Sequence, residues 1–184
     1  DGRLWLLIRT NWGEFWSAYS RDGGLTWKDI GKSGIPASSA PGMMQRLKSG
    51  RLVLLWNRPY PEGKTEWPLT GGDGLWSDTP VSNHREELSI AWSTNEGKTW
   101  SKPEVIVDKR DAKGRGSQKW ASYPYLFEYV PGELWLTTMQ GGIRAKFHER
   151  DFVGRKIVAF GDSTTAKRGP LKIYAGLLAQ ANPK

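Results

Sequence analysis

The chain has 184 residues, of which 38% are hydrophobic and 25% charged, a composition typical of globular rather than disordered proteins. Its formal net charge is +8, it contains no cysteine, and no apolar run approaches the ~18 residues that a membrane-spanning helix needs. Disulfide bonds and thiolate metal sites are therefore excluded, and no membrane partner is predicted.

Tryptophan and charge are distributed unevenly along the chain. All 11 tryptophans lie within the first 135 residues, whereas residues 144–184 hold 9 Lys and Arg against 3 Asp and Glu. This shift in composition predicts two domains, residues 1–150 and residues 151–184. The sequence begins at Asp1 without a methionine or a signal peptide, which we interpret as a start inside a longer protein.

A glycine-led apolar segment occurs three times in the first domain. Gly-Arg-Leu-Trp-Leu-Leu, Gly-Arg-Leu-Val-Leu-Leu and Gly-Glu-Leu-Trp-Leu-Thr occupy residues 2–7, 50–55 and 132–137. Because each segment joins a turn residue to a β-prone run, each predicts a strand that leaves a tight turn.

A second unit, Ser-x-Asp/Asn-x-Gly-x-Thr-Trp, occurs at residues 20–27 and 93–100. The Asp or Asn side chain is expected to bind nearby backbone amides and the glycine to adopt positive φ, so the unit predicts a hairpin turn. Its tryptophan offers a large apolar surface for packing between sheets. Propeller repeats span about 40–50 residues, so residues 1–150 correspond to about three blades of a β-propeller.

The second copy of this arrangement carries an insertion. The two repeat units begin 18 residues apart in the first copy and 43 residues apart in the second, which places about 25 additional residues at 57–84. Long segments of this kind are often functional. Asn57 and Arg58, which border the insertion, are therefore candidates for a ligand-facing surface; the alternative is a variable surface loop.

The Ser-x-Asp-x-Gly-x-Thr-Trp unit resembles the Asp-box, or BNR repeat, of bacterial sialidases (neuraminidases), which are six-bladed β-propellers. The resemblance extends over about residues 1–140 and includes the order of later segments, Arg-Glu-Glu-Leu-Ser-Ile at 85–90 and Ser-Tyr-Pro-Tyr-Leu at 122–126. It implies an all-β fold with part of a six-bladed propeller. It also implies exo-acting hydrolysis of terminal acidic sugars such as sialic acid.

The same resemblance implies the site residues. Sialidases hold the substrate carboxylate with arginines, whose planar fork binds carboxylates bidentately. Arg85 matches the last arginine of that triad, and Arg9 is a further substrate-binding candidate in the preceding blade. Tyr123 matches the nucleophilic tyrosine of the family, a neutral group that approaches an anionic sugar without charge repulsion. Asn57 and Arg58 are predicted to bind substrate beside them.

The first repeat departs from the sialidase pattern. The position of the catalytic glutamate is apolar, the second triad arginine falls on Glu14 or Phe15, and the first arginine and the catalytic aspartate would precede Asp1. A tyrosine without a neighbouring base is a weak nucleophile. The alternative prediction is therefore a non-catalytic glycan-binding Asp-box propeller, and we expect the fragment itself to be inactive.

Residues 151–184 carry a different pattern. An apolar strand is predicted at 156–160, Gly-Asp-Ser forms a turn at 161–163, and apolar residues follow at helical spacing. This order resembles the first block of SGNH (GDSL) hydrolases and implies a truncated α/β strand–turn–helix with Ser163 as the esterase nucleophile. The alternative is an ordinary turn. Because the base motif of that family does not follow in this sequence, we expect Ser163 to be inert here.

Together these predictions describe a two-domain carbohydrate-active protein whose partner is an anionic glycan. The only histidines, His84 and His148, lack metal-ligand spacing, so no metal and no cofactor is predicted. Nucleic-acid binding is disfavoured because aromatic residues and excess positive charge occupy different parts of the chain. The resemblance implies a secreted or periplasmic parent protein, and no residue pattern indicates an oligomeric state.

Overall fold

The computed structural model describes residues 2–75, 77–112 and 116–153, and within them it is built from β-strands. These residues form twelve strands and two short 3-10 helices, Gly116–Lys119 and Glu149–Asp151. The strands are β1 (Leu4–Ile8), β2 (Glu14–Ser20), β3 (Lys28–Pro36), β4 (Met43–Arg46), β5 (Leu52–Trp56), β6 (Leu69–Thr70), β7 (Val81–Ser82), β8 (Glu87–Ser93), β9 (Glu104–Asp108), β10 (Ser122–Val130), β11 (Glu133–Gln140) and β12 (Arg144–His148). The predicted all-β character of the repeat region is confirmed.

The strands form three larger antiparallel sheets and one small ribbon. In chain order the larger sheets are β1-β2-β3, β4-β5-β8-β9 and β10-β11-β12, and the ribbon β6-β7 lies within the insertion. The three glycine-led segments lead into β1, β5 and β11, as their sequence predicts. None of the sheets closes on itself.

The Asp-box units form the turns from β2 to β3 and from β8 to β9. In the first turn, Asp22 Oδ1 accepts a hydrogen bond from the backbone N–H of Thr26 at 2.9 Å, and Ser20 Oγ accepts one from Gly24 at 2.8 Å. Hydrogen bonds from Thr26 hold the pKa of Asp22 well below its usual range. The second turn repeats both bonds at 2.9 Å. The predicted hairpin and its side-chain contacts are confirmed.

The middle sheet supplies the largest share of the core. Every residue of β5 and β8 is buried, as expected for strands covered on both faces, whereas buried and less buried residues alternate along β11. Phe15 of the first sheet packs with Leu54 and Trp56 of the middle sheet. The Asp-box turn of the middle sheet lies directly against the Trp5 ring, because a Cβ added at Gly97 would lie 2.4 Å from a ring carbon.

The strand directions place two sets of connections at opposite ends of the sheets. The Asp-box turns lie at one end, and the segments that follow β1, β5 and β9 or precede β4, β8 and β10 lie at the other. Backbone hydrogen bonds join these segments: Ala121 donates to the carbonyl of Arg85 at 2.7 Å, and Ser39 donates to that of Ser82 at 2.8 Å. The described candidates Arg9, Asn57, Arg58, Arg85 and Tyr123 are therefore gathered at the end opposite the Asp-box turns.

The chain divides into two compact units, Asp1–Phe147 and His148–Lys184. In the second unit the described residues are 148–153, where His148 Nδ1 accepts a hydrogen bond from the backbone of Arg150 at 3.4 Å. The predicted esterase strand–turn–helix and Ser163 lie outside the described residues. No helix in the described part of the chain is long and apolar enough to span a bilayer.

Candidate functional site

Arg9, Arg85 and Tyr123 are distant in sequence but come together in the fold. Arg9 follows β1, Arg85 precedes β8 and Tyr123 is the second residue of β10. Arg9 Nη1 donates a hydrogen bond to Tyr123 Oη at 3.3 Å, and the Arg85 guanidinium carbon lies 5.4 Å from the centre of the Tyr123 ring. Two cations therefore border one phenol group.

Three hydrogen bonds fix the guanidinium of Arg85. Nε donates to Asn83 Oδ1 at 2.8 Å, Nη1 to Gln140 Oε1 at 2.9 Å, and Nη2 to the carbonyl of Ser39 at 2.8 Å. The residue is only 6% exposed, and the Trp120 ring covers it with its centre 5.1 Å from the guanidinium carbon. These bonds use three of the five N–H groups of the guanidinium and leave two outside this set.

A single buried serine connects the two arginines. Ser39 Oγ accepts a hydrogen bond from Arg9 Nη2 at 3.2 Å and donates one to Asn11 Oδ1 at 2.6 Å, while its carbonyl accepts the bond from Arg85. Ser39 is fully buried, whereas Arg9 is exposed. The spacing of the two guanidinium groups is thus set by the segment between β3 and β4.

Tyr123 has a strained backbone. Its φ of +57° lies in the left-handed region, which is rare for a bulky side chain. The flanking residues Ser122 and Pro124 pair with Gln140 and Thr138 of β11, so Tyr123 interrupts the ladder at this point. Strain of this kind costs about 1–3 kcal/mol and concentrates at functional sites. Here the strained residue is the one whose hydroxyl meets Arg9.

The two arginines change the acidity of the Tyr123 phenol. Partial burial raises its pKa, but the positive charges of Arg9 and Arg85 together outweigh burial and lower the pKa below its ordinary value. A lower pKa increases the phenolate fraction at a given pH. Since the phenolate is the better nucleophile, the two arginines increase the reactive fraction of this side chain.

We expect Arg9→Met to raise the pKa of Tyr123, because one of the two neighbouring positive charges is removed. A spectrophotometric pH titration of phenolate absorbance, with Tyr123→Phe to assign the group, measures this change. Arg21→Met, in the Asp-box turn at the opposite end of the sheet, is the matched control and should leave the titration unchanged. An identical Tyr123 pKa in wild type and Arg9→Met would contradict the electrostatic account.

A cleft of about 470 Å³ opens beside Arg9. The segment after β1 and part of the insertion form it, and its lining includes Trp12 and Asp78. The Trp12 ring is exposed and packs at 4.8 Å, centre to centre, against Trp16. The cleft thus combines a cation, an aromatic face and a carboxylate, an arrangement that suits a polar ring-shaped ligand.

Asn57 occupies a buried position beneath the site. It is 0% exposed, and its side-chain amide donates to the carbonyls of Glu87 at 2.7 Å and Ala121 at 3.0 Å. These bonds tie β8 to the segment that leads into Tyr123. Substrate binding by Asn57 stays a prediction, and the contacts in the fold are with the backbone.

Arg58 belongs to a network of ion pairs. Its Nη2 lies 2.5 Å from Glu62 Oε2 and 3.7 Å from Glu87 Oε2, and its Nε donates to Ser89 Oγ at 2.9 Å. The buried carboxylate of Glu87 also lies 3.0 Å from Arg110 Nε. Substrate binding by Arg58 likewise stays a prediction, since these partners are separate from those of Arg9 and Arg85.

The positions at which the sequence departs from sialidases have other roles in this fold. Glu14 lies 3.1 Å from Lys32 Nζ and accepts a hydrogen bond from the backbone of Gly34 at 3.1 Å. Phe15 is a core residue. Neither candidate position for the second triad arginine therefore adds a cation to the site.

Sequence reasoning missed the residues that hold the two arginines. They are Ser39, Asn83, Trp120 and Gln140. Ser39, Trp120 and Gln140 contact an arginine from distant segments of the chain. Asn83 lies two residues before Arg85, and no known local motif marks it. The one available signal was the Gly141–Gly142 pair, which marks a tight turn directly after Gln140.

The groups around Tyr123 are suited to an anion rather than to a metal ion. Across residues 2–75, 77–112 and 116–153, no group of three or more His, Asp or Glu is placed to hold a metal. Guanidinium groups bind carboxylates, and a phenol with a lowered pKa can attack an electrophilic carbon.

Comparison with models of protein families gives a match over most of the chain. A family model described as a BNR repeat-like domain matches residues 1–135. The matched region includes both Asp-box turns as well as Arg9, Arg85 and Tyr123. A search of curated proteins found no match.

Proposed function

This chain belongs to the BNR repeat-like domain family, and from that premise we propose that it is part of a sialidase-like glycoside hydrolase acting on terminal acidic sugars such as sialic acid. In this proposal the three larger sheets are consecutive blades of a six-bladed β-propeller, and Arg9, Arg85 and Tyr123 form its active site. BNR-like domains occur in sialidase-like hydrolases, which supports the class of activity.

The equivalence of the three sheets supports the blade assignment. The glycine-led segment always begins the second strand of a four-strand unit, and the Asp-box turn always joins the third strand to the fourth. On this scheme the middle sheet is a complete blade, the first lacks an innermost strand, and the third lacks an outermost strand among the described residues. Four antiparallel strands per blade is the propeller arrangement.

The observation that carries the proposal is the convergence of Arg9 and Arg85 on the Tyr123 phenol. Two guanidinium groups on either side of one phenol are suited to a carboxylate, because guanidinium N–H groups form charge-assisted hydrogen bonds with carboxylate oxygens. Placing the carboxylate there brings the sugar ring next to the Tyr123 hydroxyl. A phenol that keeps its proton while the substrate binds meets the anionic sugar without repulsion, and it loses that proton only in the attack.

In the proposed reaction Tyr123 Oη attacks the anomeric carbon, and the bond to the leaving oxygen breaks with its electron pair. Arg9 and Arg85 favour loss of the phenol proton to solvent. The leaving oxygen takes a proton from Asp78, which is the carboxyl group in the lining of the cleft at Arg9. Water then hydrolyses the glycosyl–tyrosine bond, releases the sugar and restores the phenol.

We expect Arg9→Met to weaken binding of an acidic monosaccharide by about 10- to 100-fold, because a charge-assisted hydrogen bond contributes roughly 1.5–3 kcal/mol. Calorimetric titration with the free acid and with its methyl ester measures the effect, and the ester should bind weakly to both proteins. Arg21→Met is the control. Equal affinity for acid and ester would overturn carboxylate recognition.

A second candidate function is glycan binding without turnover. It is favoured by the surroundings of Tyr123 Oη, whose hydrogen-bond partner in the described part of the chain is the cation Arg9 rather than a carboxylate base. Binding of acidic glycans with no release of an aryl leaving group from a fluorogenic glycoside would select this function over hydrolysis.

For residues 151–184 the proposal stays with the SGNH-type esterase start and Ser163. It rests on the Gly-Asp-Ser motif and the order of apolar segments in the sequence. Removal of O-acetyl groups from a glycan would complement the action of the first domain, and a glycan substrate fits a secreted or periplasmic protein.

A further inference from the structure

A second cleft, of about 770 Å³, lies on the same end of the sheets as Tyr123. Residues of the insertion form one side of it, and residues next to β8, β9 and β10 form the other. We propose that it is a second anion-binding subsite, which takes a further negatively charged sugar of a polyanionic glycan chain. The inference rests on the proposed function in that the first acidic sugar occupies the site at Arg9 and Arg85.

The cleft carries an excess of positive charge. Its lining contains four cationic side chains and two carboxylates. The cationic residues are Lys64, Lys109, Arg110 and Lys119, and the carboxylates are Glu66 and Glu86. A volume in the range of about 300–1,000 Å³ is typical of small-molecule sites. Size and charge together suit an anionic ligand.

Two of the four cations are engaged within the fold, and two are free to meet a ligand. Lys109 Nζ donates to the carbonyl of Gly141 at 3.1 Å, and Arg110 Nη2 lies 2.6 Å from Asp108 Oδ2. Lys64 and Lys119 are exposed and have no ion pair with any described carboxylate. Their ammonium groups face solvent until an anion binds between them.

An aromatic face lines the same cleft. Trp67 lines the cleft, and its ring packs against His84 with ring centres 4.8 Å apart. His84 is fully buried and its Nδ1 lies 2.8 Å from the carbonyl oxygen of Arg58, so the ring that supports Trp67 is itself fixed. A rigid half-buried indole gives a sugar ring an apolar surface to lie on at little cost in conformational entropy.

The second cleft adjoins the first site through shared segments. Glu86 Oε2 accepts a hydrogen bond from the backbone N–H of Arg85 at 2.9 Å, and Lys119 directly precedes the Trp120 that covers Arg85. A ligand that fills both sites must carry at least two negative charges on successive or nearby sugars. The substrate class is therefore a polyanionic glycan rather than a neutral glycan with one acidic end.

The test compares a four-residue oligogalacturonate, its fully methyl-esterified form and monomeric galacturonate by calorimetric titration. We expect Lys64→Ala/Lys119→Ala to bind the oligogalacturonate about tenfold more weakly than wild type, and Trp67→Ala to weaken it by a similar factor. The double variant should also show a smaller loss of affinity with added salt, because two screened charges are gone. Monomer binding should be unchanged in both variants.

Lys98→Ala/Lys102→Ala is the matched control, since both lysines are exposed next to the Asp-box turn at the opposite end. It should bind all three ligands like wild type. Wild-type affinity of Lys64→Ala/Lys119→Ala for the oligogalacturonate would overturn the subsite. Failure of the proposed function would give a different result from failure of the subsite. The monomer would bind independently of Arg9, while oligogalacturonate binding would still depend on Lys64 and Lys119.

Discussion

Tyr123→Phe is expected to reduce kcat for release of an aryl group from a fluorogenic sialoside by at least about 10³-fold in the full-length protein, since the variant lacks the attacking oxygen. Tyr123 is the residue on which both arginines converge, and its hydroxyl accepts the hydrogen bond from Arg9 at 3.3 Å. Phenylalanine keeps the ring and its contact with Arg85, so the fold and the carboxylate site should persist. KM should therefore change much less than kcat.

Tyr125→Phe is the control for the removal of a phenol oxygen from β10. Tyr125 lies two residues further along the same strand, is 56% exposed and lines a different cleft with Phe127 and Trp135. Its kcat should match wild type. Full activity of Tyr123→Phe would overturn the nucleophile assignment, and an absence of turnover in wild type with retained glycan binding would select the non-catalytic alternative.

The parts of the fold that the sequence predicts are those governed by local interactions. The Asp-box turns follow from side chains that bind amides two to four residues away, as Asp22 does with Thr26. The glycine-led strands follow from turn chemistry and β-propensity over six residues. Such signals do not depend on the rest of the fold, because the interacting residues are close together in the sequence.

The details of the site depend on contacts that no local pattern encodes. Ser39 meets Arg85 across 46 residues, and Gln140 meets it across 55. The positive φ of Tyr123 could not be predicted from the sequence either, because a bulky residue gives no sequence signal for the left-handed region. Only the family resemblance predicted that Arg9, Arg85 and Tyr123 belong to one site, and it did not predict the groups that hold them.

The insertion was the least predictable segment. Its border position predicted a ligand-facing surface for Asn57 and Arg58, whereas burial there is decided by the packing of the middle sheet against the segment before β10. Asn57 ends up fully buried with two backbone acceptors, and Arg58 pairs with Glu62 and Glu87. The sequence at the border of an insertion does not show which of its side chains will be buried.

Gly141→Ala is expected to lower the free energy of unfolding by about 3 kcal/mol or more, because it combines left-handed strain with a backbone clash. Gly141 has φ +94°, and a Cβ there would lie 1.8 Å from the carbonyl oxygen of Trp120. Relief requires Trp120 to move, and Trp120 covers Arg85 and precedes Tyr123 by three residues. Affinity for an acidic monosaccharide should therefore fall together with stability.

Gly142→Ala separates the effect of left-handed backbone strain from that of the backbone clash. Gly142 also has positive φ, +62°, but a Cβ there would meet no atom within 4 Å, so only the backbone strain of about 1–2 kcal/mol applies. Urea unfolding measures both variants, and acidic-sugar affinity of the folded protein should be reduced in Gly141→Ala alone. Equal losses of stability in the two variants would mean that the Trp120 carbonyl can move away from the added Cβ without lowering the free energy of unfolding. The Arg85–Tyr123 geometry would then not depend on the close approach of Gly141 to that carbonyl.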